Sequence, residues 1–535
     1  MNNKPLYRLA DSTAVEALVD NWVAWPHTFS PVPYSLHLLN YQKKTLASYL
    51  QSPELHVKSS SNPKLLGGAF VNIPVDQTDA IRILLERLEY EHSHDLQLAQ
   101  DLINFQNFLD KEAVGQSLEP YYEKLPESLR GYVELLSDYN SRPIVRCIES
   151  LFYKSPHYQD RLQSLHLFTQ TNDRARSYYM STPRLPERDA IEWNIPFKKK
   201  EIDELFKLDS CPQPLSYIRE LLGLNIADDQ KLISLLSDQP SGTTEPWYGK
   251  NVRIRYLGHA SVLIEFNGVA ILVDPFISVQ PQQGGIKRYS FQDLPAHIDY
   301  VLITHVHHDH YVFETLLRLR HKIGCLVVPK CSGIFYGDIS LKLIARELGF
   351  SNVMEVEPLD SIALPGGEII AVPFLGEQND LPNAKSGYLV RAGREQILFA
   401  ADSNCLDKRM YENLYKELGA VNVVFLGMEC IGAPLSWVYG PLLPKLPEYK
   451  HCQSRRSKGC DAVAALNLLD ALKSNQIYIY ALGREPWLQY FMALEPEDND
   501  AYILEINKLL ESCKSKNFID ARRLYGIDEM FLGGD

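Results

Sequence analysis

The stretch Ile303–Tyr311 reads ITHVHHDHY and gathers four histidines and one aspartate between positions 305 and 310. The whole chain has 15 histidines in 535 residues, so the excess is local. An apolar run, IDYVL, leads into it, and YVFETLLRLR, with apolar residues at helical spacing, follows. The motif therefore sits where a strand ends and the chain turns towards a helix. In extended backbone, residues i and i+2 point to the same side, so His305 and His307 can meet one metal ion. Asp309 and His310 fall in the turn, face a neighbouring point and can hold a second ion. His308 lies between the two sets and points elsewhere. A histidine-rich surface loop would tolerate any spacing and would need no buried strand before it. The strand–loop–helix setting favours a metal site.

The segments around the motif are short apolar runs rich in β-branched residues. NVRIRYLG, SVLIEFNG, VAILVDP and IDYVLITH read as strands, the middle two joined by a tight Asn-Gly turn. CLVVP, EIIAVPF, GYLVRA, QILFAAD, VNVVFLG and QIYIYAL continue the series. Helical patterns, YVFETLLRLRHK, SLKLIAREL, MYENLYKEL and DAVAALNLLDALK, fall between some of them. Strands with interleaved helices predict two sheets covered by helices, an αββα layering.

A chain of this length exceeds one ordinary domain. The Pro-, Gly-, Ser- and Thr-rich stretch SDQPSGTTEPWYGK marks the junction, dividing residues 1–245 from 246–535. The first part reads as a mixed, mainly helical α+β domain. TDAIRILLERLEYEHSHDLQLAQDLINFQNFLD, PESLRGYVELLSDY and PLSYIRELLGL carry helical spacing, and LLGGAFVNIP reads as extended. A net charge of −13 argues against nucleic acid as a partner. Nine scattered cysteines without a CxxC pair argue for free thiols and a reducing compartment, the cytoplasm. The opening MNNKPLYRLADSTAVE has no apolar core of a signal peptide, and no apolar run is long enough to predict a membrane span.

THVHHDH matches the HxHxDH signature of the metallo-β-lactamase superfamily, and GHASVLIE (Gly258 to Glu265) and VDP (Val273 to Pro275) are similar to its opening strands. The likeness spans about residues 250 to 490. It implies an αββα sandwich with a two-metal site at the strand ends. In that superfamily a third histidine completes the first metal; here PFLGEQNDLP offers Glu377 instead. ILFAADSN supplies Asp402 at the place of the bridging aspartate. The superfamily's last histidine has no counterpart in NQIYIYALG. Three histidines with three carboxylates move the preference from zinc towards iron or manganese, and the lost histidine leaves a position open for O₂.

The glutamate of FLGEQNDL and the stretch FLGMECIGAPLSWVYGPLLP resemble the di-iron β-hydroxylases typified by the enzyme of chloramphenicol biosynthesis. The resemblance implies a monooxygenase with an oxo- or hydroxo- and carboxylate-bridged pair of iron ions, O₂ as co-substrate and an external electron donor. It implies hydrogen abstraction and hydroxylation at Cβ of an amino acid, aliphatic such as leucine or aromatic, held as a thioester on the carrier protein of a nonribosomal peptide synthetase. It further implies a homodimer whose N-terminal domain covers the site. His305, His307 and Glu377 would hold the first iron, Asp309 and His310 the second, and Asp402 would bridge. Glu429 is a further acid at a strand end, either ligand or outer partner. His259 and Asp274 would orient ligands from outside, or serve only as satisfied polar groups of the core. Trp437 and Tyr439, in a long proline-rich loop, are candidates for the substrate pocket or for packing that loop. Arg455, Arg456 and Lys458 form a basic cluster suited to an acidic carrier or simply to solvent. The phosphopantetheine arm requires a tunnel between the two domains. The competing expectation is a dinuclear zinc hydrolase of the same fold, cleaving a thioester, lactone or phosphodiester. A third is a non-catalytic scaffold with a decayed site.

Overall fold

The computed structural model describes residues 5–240, 242, 244–376, 384–495 and 497–533. From Val252 onwards the chain builds two seven-stranded sheets. The first runs, in spatial order, Val353–Val356, Ile323–Pro329, Ile298–Leu302, Val269–Val273, Ser261–Phe266, Val252–Gly258 and Asp528–Leu532. The second runs Ser361–Leu364, Gly367–Val372, Gly387–Ala392, Glu395–Phe399, Val423–Gly427, Gln476–Tyr480 and Asp520–Arg523. In each sheet a meander of antiparallel pairs gives way to parallel pairing. The Asn267-Gly268 turn joins two strands with φ of 47° and 78°, the left-handed pair that a two-residue hairpin demands.

The uninterrupted apolar runs have a simple cause: both faces of each sheet are buried. Val262, Ile264, Ile271 and Val273 point into the layer between the sheets, while Leu263 and Leu272 point into the outer layer. In the second sheet Ile397, Phe399, Val423 and Phe425 face inwards, and Leu398, Val424 and Leu426 face helices Lys408–Leu418, Ala462–Leu472 and Ala501–Ser515. Period-two alternation with apolar residues at every step is the signature of a sheet covered on both sides.

The N-terminal part contains a four-stranded sheet, Trp22–Val23, Thr13–Val19, Gln163–Thr169 and Ile191–Asn194, a three-stranded sheet and a hairpin, with helices around them. Its core is continuous with the outer layer of the first sheet: Leu165, Phe197 and Leu205 share one cluster with Leu316, Leu317 and Ile344. One segment departs from its sequence pattern. PESLRGYVELLSDY is not helical; it forms a short turn, Glu127–Leu129, and a strand, Val133–Ser137, paired with Pro143–Cys147. Val133 and Leu135 alternate with less buried neighbours, and this cross-strand pairing overrides the helical spacing. The long helical stretch is two helices, Thr78–Glu91 and Ser93–Glu112, broken at His92, whose buried ring lies between Asp20 and Asp95.

Candidate metal centre

The strand Ile298–Leu302 ends beside the second sheet, and the sandwich holds the motif there. The Thr304 carbonyl accepts from the Ser386 N–H at 2.7 Å, and the Ile303 carbonyl accepts from the Tyr388 hydroxyl at 2.8 Å. His305 Nε2 and His307 Nδ1 lie 2.9 Å apart, so the two rings converge as the alternate spacing requires. With Asp402 they form one set of donors within 4.8 Å of one another. His259, Asp309 and His310 form a second set on the same criterion. Asp402 Oδ2 is 3.6 Å from His305 Nε2 and 3.2 Å from His310 Nε2, and so stands between the sets.

His259 Nε2 lies 2.9 Å from Asp309 Oδ2, at hydrogen-bond distance from that carboxylate, and the ring nitrogen falls within the second set. It comes from a strand turn 50 positions before Asp309. Asp274 lies behind His310 and belongs to neither donor set. It is fully buried and accepts from His310 Nδ1 at 2.8 Å, from the Thr304 N–H at 2.7 Å and from the Thr304 hydroxyl at 2.6 Å. His259, Asp274 and Ala401, the residue before Asp402, all have positive φ: 50°, 39° and 46°. Such conformations are uncommon in residues with a side chain, and here they cluster where strand ends aim polar groups at one point. Gly427 serves the same end: a Cβ there would collide with Asp402 Oδ1.

Burial, with His310 and His307 beside it, holds His305 well below the ordinary imidazole range, and burial brings His307 down to about 3. Both rings are thus neutral, the state a metal requires. Burial pulls His310 down, but Asp309, Asp274 and Asp402 outweigh it and carry it well above the ordinary value. His310 Nε2 is buried without a hydrogen-bond partner, although it faces two carboxylates. A buried, orphaned ring nitrogen between acids fits a cation, and the imidazole–carboxylate donors suit a pair of first-row metal ions. Glu377 lies outside the described residues.

His308 does point away, as expected. Its ring packs against Trp25, Tyr179, Trp437 and Phe491, with centroids 5.3–6.1 Å away, so two residues of the N-terminal part reach the motif itself. A cavity of about 270 Å³ opens beside it. His307, Asp309 and Asp402 form its polar wall; Trp437, Tyr439 and Leu435 line its apolar side, and Leu66 enters from the N-terminal part. The Trp437 indole donates to the Gly67 carbonyl at 3.0 Å. Gly67 has φ of 75° and a close approach to that ring which excludes a side chain. Arg455 and Arg456 line the cavity as well, so the basic cluster turns at least partly inwards. Glu429 also borders the cavity but joins neither donor set. Burial, then the charges of Asp402 and Asp309, push its carboxyl up to about 8.

Comparisons with known proteins place both parts of the chain in described families. Residues 8–240 match the family described as "Diiron non-heme beta-hydroxylase N-terminal domain", and residues 253–429 match the "Beta-lactamase superfamily domain". The chain is 32% identical over 519 residues to the 4-amino-L-phenylalanyl-(CmlP-peptidyl-carrier-protein) 3-hydroxylase of Streptomyces venezuelae, covering 95% of this chain and 97% of that protein. The crystal structure of CmlA, a diiron β-hydroxylase from Streptomyces venezuelae, superposes with a TM-score of 0.92 at 31% identity, covering 99% of this chain and 100% of that one. A metal-dependent hydrolase of Methanopyrus kandleri is 27% identical over 173 residues, which span 31% of this chain and 68% of that protein.

Proposed function

The chain belongs to the family of non-haem di-iron β-hydroxylases, and from that premise we propose that it hydroxylates the β-carbon of an aminoacyl thioester carried by a peptidyl carrier protein. His305, His307 and Glu377 would hold one iron and Asp309 and His310 the other, with Asp402 shared between them and His259 beside Asp309. The observation that carries the reading is Asp402, whose single oxygen lies within reach of ring nitrogens of both sets. The iron pair supplies O₂ activation when bound, with electrons from an external donor. The protein's own groups do the rest. Asp274 fixes the His310 ring and keeps its proton on Nδ1. The aromatic residues around His308 keep water from the motif. The apolar wall of the cavity takes an aliphatic or aromatic side chain, and its open side admits the pantetheine arm. Residues 1–245 act as the covering and dimer-forming domain, and residues 246–535 as the catalytic one. The setting is carrier-bound peptide biosynthesis in the cytoplasm.

The test is mass spectrometry of aminoacyl-loaded carrier protein after incubation with enzyme, reductant and O₂. A carrier-bound product heavier by one oxygen, with fragmentation placing it at Cβ, is the expected result. Release of the free amino acid with no oxygen gained identifies a hydrolase and contradicts the proposal.

A further inference from the structure

An aminoacyl thioester offers three features to a binding site: the thioester arm, the side chain and the α-ammonium. The cavity has an evident place for two of them. Its mouth takes the arm, and Trp437, Leu435 and their neighbours take the side chain. The ammonium is a cation next to a pair of metal cations, and it needs its own anion. Three carboxylates line the cavity: Asp309, Asp402 and Glu429. Asp309 lies against His259 and His310, and Asp402 against His305 and His310. Glu429 is different. Among the described residues no side chain hydrogen-bonds or ion-pairs with it, and it belongs to neither set of donors. The charge of Arg456 acts on it, but that guanidinium is engaged by the Gly432 carbonyl at 2.7 Å and Gln453 Oε1 at 2.6 Å. A half-buried acid facing a cavity without a partner is set to receive a cation from the ligand.

We infer that Glu429 binds the α-ammonium of the aminoacyl thioester and so selects substrates whose amino group is free. This rests on the proposed substrate class and sharpens it. The β-carbon lies roughly 2.5 Å from the α-nitrogen across two bonds. Anchoring the nitrogen at Glu429, on the wall it shares with Asp402 and Asp309, confines the β-carbon to the metal side of the cavity. A consequence follows for reaction order. A residue already acylated at nitrogen carries no ammonium, so hydroxylation precedes the step that forms a peptide bond at that nitrogen.

The test compares leucyl- and phenylalanyl-pantetheine with their deamino counterparts, 4-methylpentanoyl- and 3-phenylpropanoyl-pantetheine, by equilibrium dialysis against the iron-loaded protein. Iron content of each variant is measured alongside. The wild type is expected to bind the better aminoacyl thioester at least about tenfold more tightly than its deamino form, the scale of a charge-assisted hydrogen bond. Glu429→Gln should bring that ratio close to one and keep the wild-type iron content, while Glu429→Asp, which retains the charge, keeps a larger ratio than the Gln variant. Three results overturn the inference alone: a wild-type ratio near one, a Gln variant with the wild-type ratio, or a Gln variant that has lost an iron and so reveals Glu429 as a ligand. Failure of the wild type to bind any of the four thioesters removes the substrate class and the inference with it.

Discussion

Asp274→Asn tests how the fold controls one ligand. The carboxylate accepts three short hydrogen bonds, from the Thr304 N–H at 2.7 Å, the Thr304 hydroxyl at 2.6 Å and His310 Nδ1 at 2.8 Å. An asparagine keeps one acceptor oxygen, which the Thr304 N–H claims. The amide NH₂ then faces His310 Nδ1, and that nitrogen must accept instead of donate. The imidazole proton moves to Nε2, the atom 3.2 Å from Asp402 Oδ2 and the only one left to meet a metal. A change of this kind in an outer partner weakens metal binding by about 10- to 100-fold, or ~1.4–2.7 kcal/mol. The metal-free protein should also lose about 1–3 kcal/mol, because the Thr304 hydroxyl and His310 Nδ1 both lose Oδ2 as their acceptor and the bond from the Thr304 N–H is no longer charge-assisted. Competition with a graded series of chelators measures the first quantity, and urea unfolding of the metal-free protein the second. The variant should hold one metal ion at near wild-type affinity and lose the other first. Two ions held with wild-type affinity would refute the tautomer argument.

Gly427→Ala should abolish hydroxylation while leaving the sheet folded, since the new methyl meets Asp402 Oδ1 and the Ala401 carbonyl; activity within a few-fold of wild type would show that Asp402 has room to move. Arg176 bridges Glu16 at 2.7 Å and Glu314 at 2.6 Å, and lies 3.4 Å over the Tyr490 ring, so it ties the N-terminal part to the helix after the motif. Arg176→Met leaves Glu16 with Arg184 as its remaining cation and Glu314 with the Tyr490 hydroxyl in place of a cation, and should cost about 3 kcal/mol in denaturant unfolding; a loss below about 1 kcal/mol on the same scale would count against the network. His92 is buried between Asp20 and Asp95; burial lowers its pKa, but the two carboxylates prevail and raise it from 6.5 to about 9. A pKa raised on folding gives stability that is complete below the unfolded value of 6.5 and lost as pH rises through about 9. His92→Gln should therefore flatten the fall in stability between these pH values, and an unchanged slope would exclude His92 as its source.

Much of this fold is legible because its strands are buried on both faces and so stand out as unbroken apolar runs. Asp520–Arg523 and Asp528–Leu532 went unread for the opposite reason: they are edge strands, DARR and DEMFL, with charged residues that only their neighbours order. The spacing in PESLRGYVELLSDY pointed to a helix because local pattern is blind to the partner strand Pro143–Cys147. At the centre, His305, His307, Asp309 and His310 were legible because one turn of chain delivers all four. Asp402 was legible through the strand that ends before it. His259 comes to Asp309 through a left-handed turn and across a separation of 50 positions, neither of which a pattern of residue types encodes. The cavity is likewise a product of packing: Leu66, Glu429 and Trp437 meet only after the N-terminal part closes over the sandwich.

Incubation of aminoacyl-loaded carrier with the iron-reconstituted, reduced enzyme under ¹⁸O₂ tests the central claim most directly. The account predicts a β-hydroxylated, still carrier-bound amino acid that carries ¹⁸O from the gas. Cleavage of the thioester, or a hydroxyl oxygen drawn from water, would contradict it.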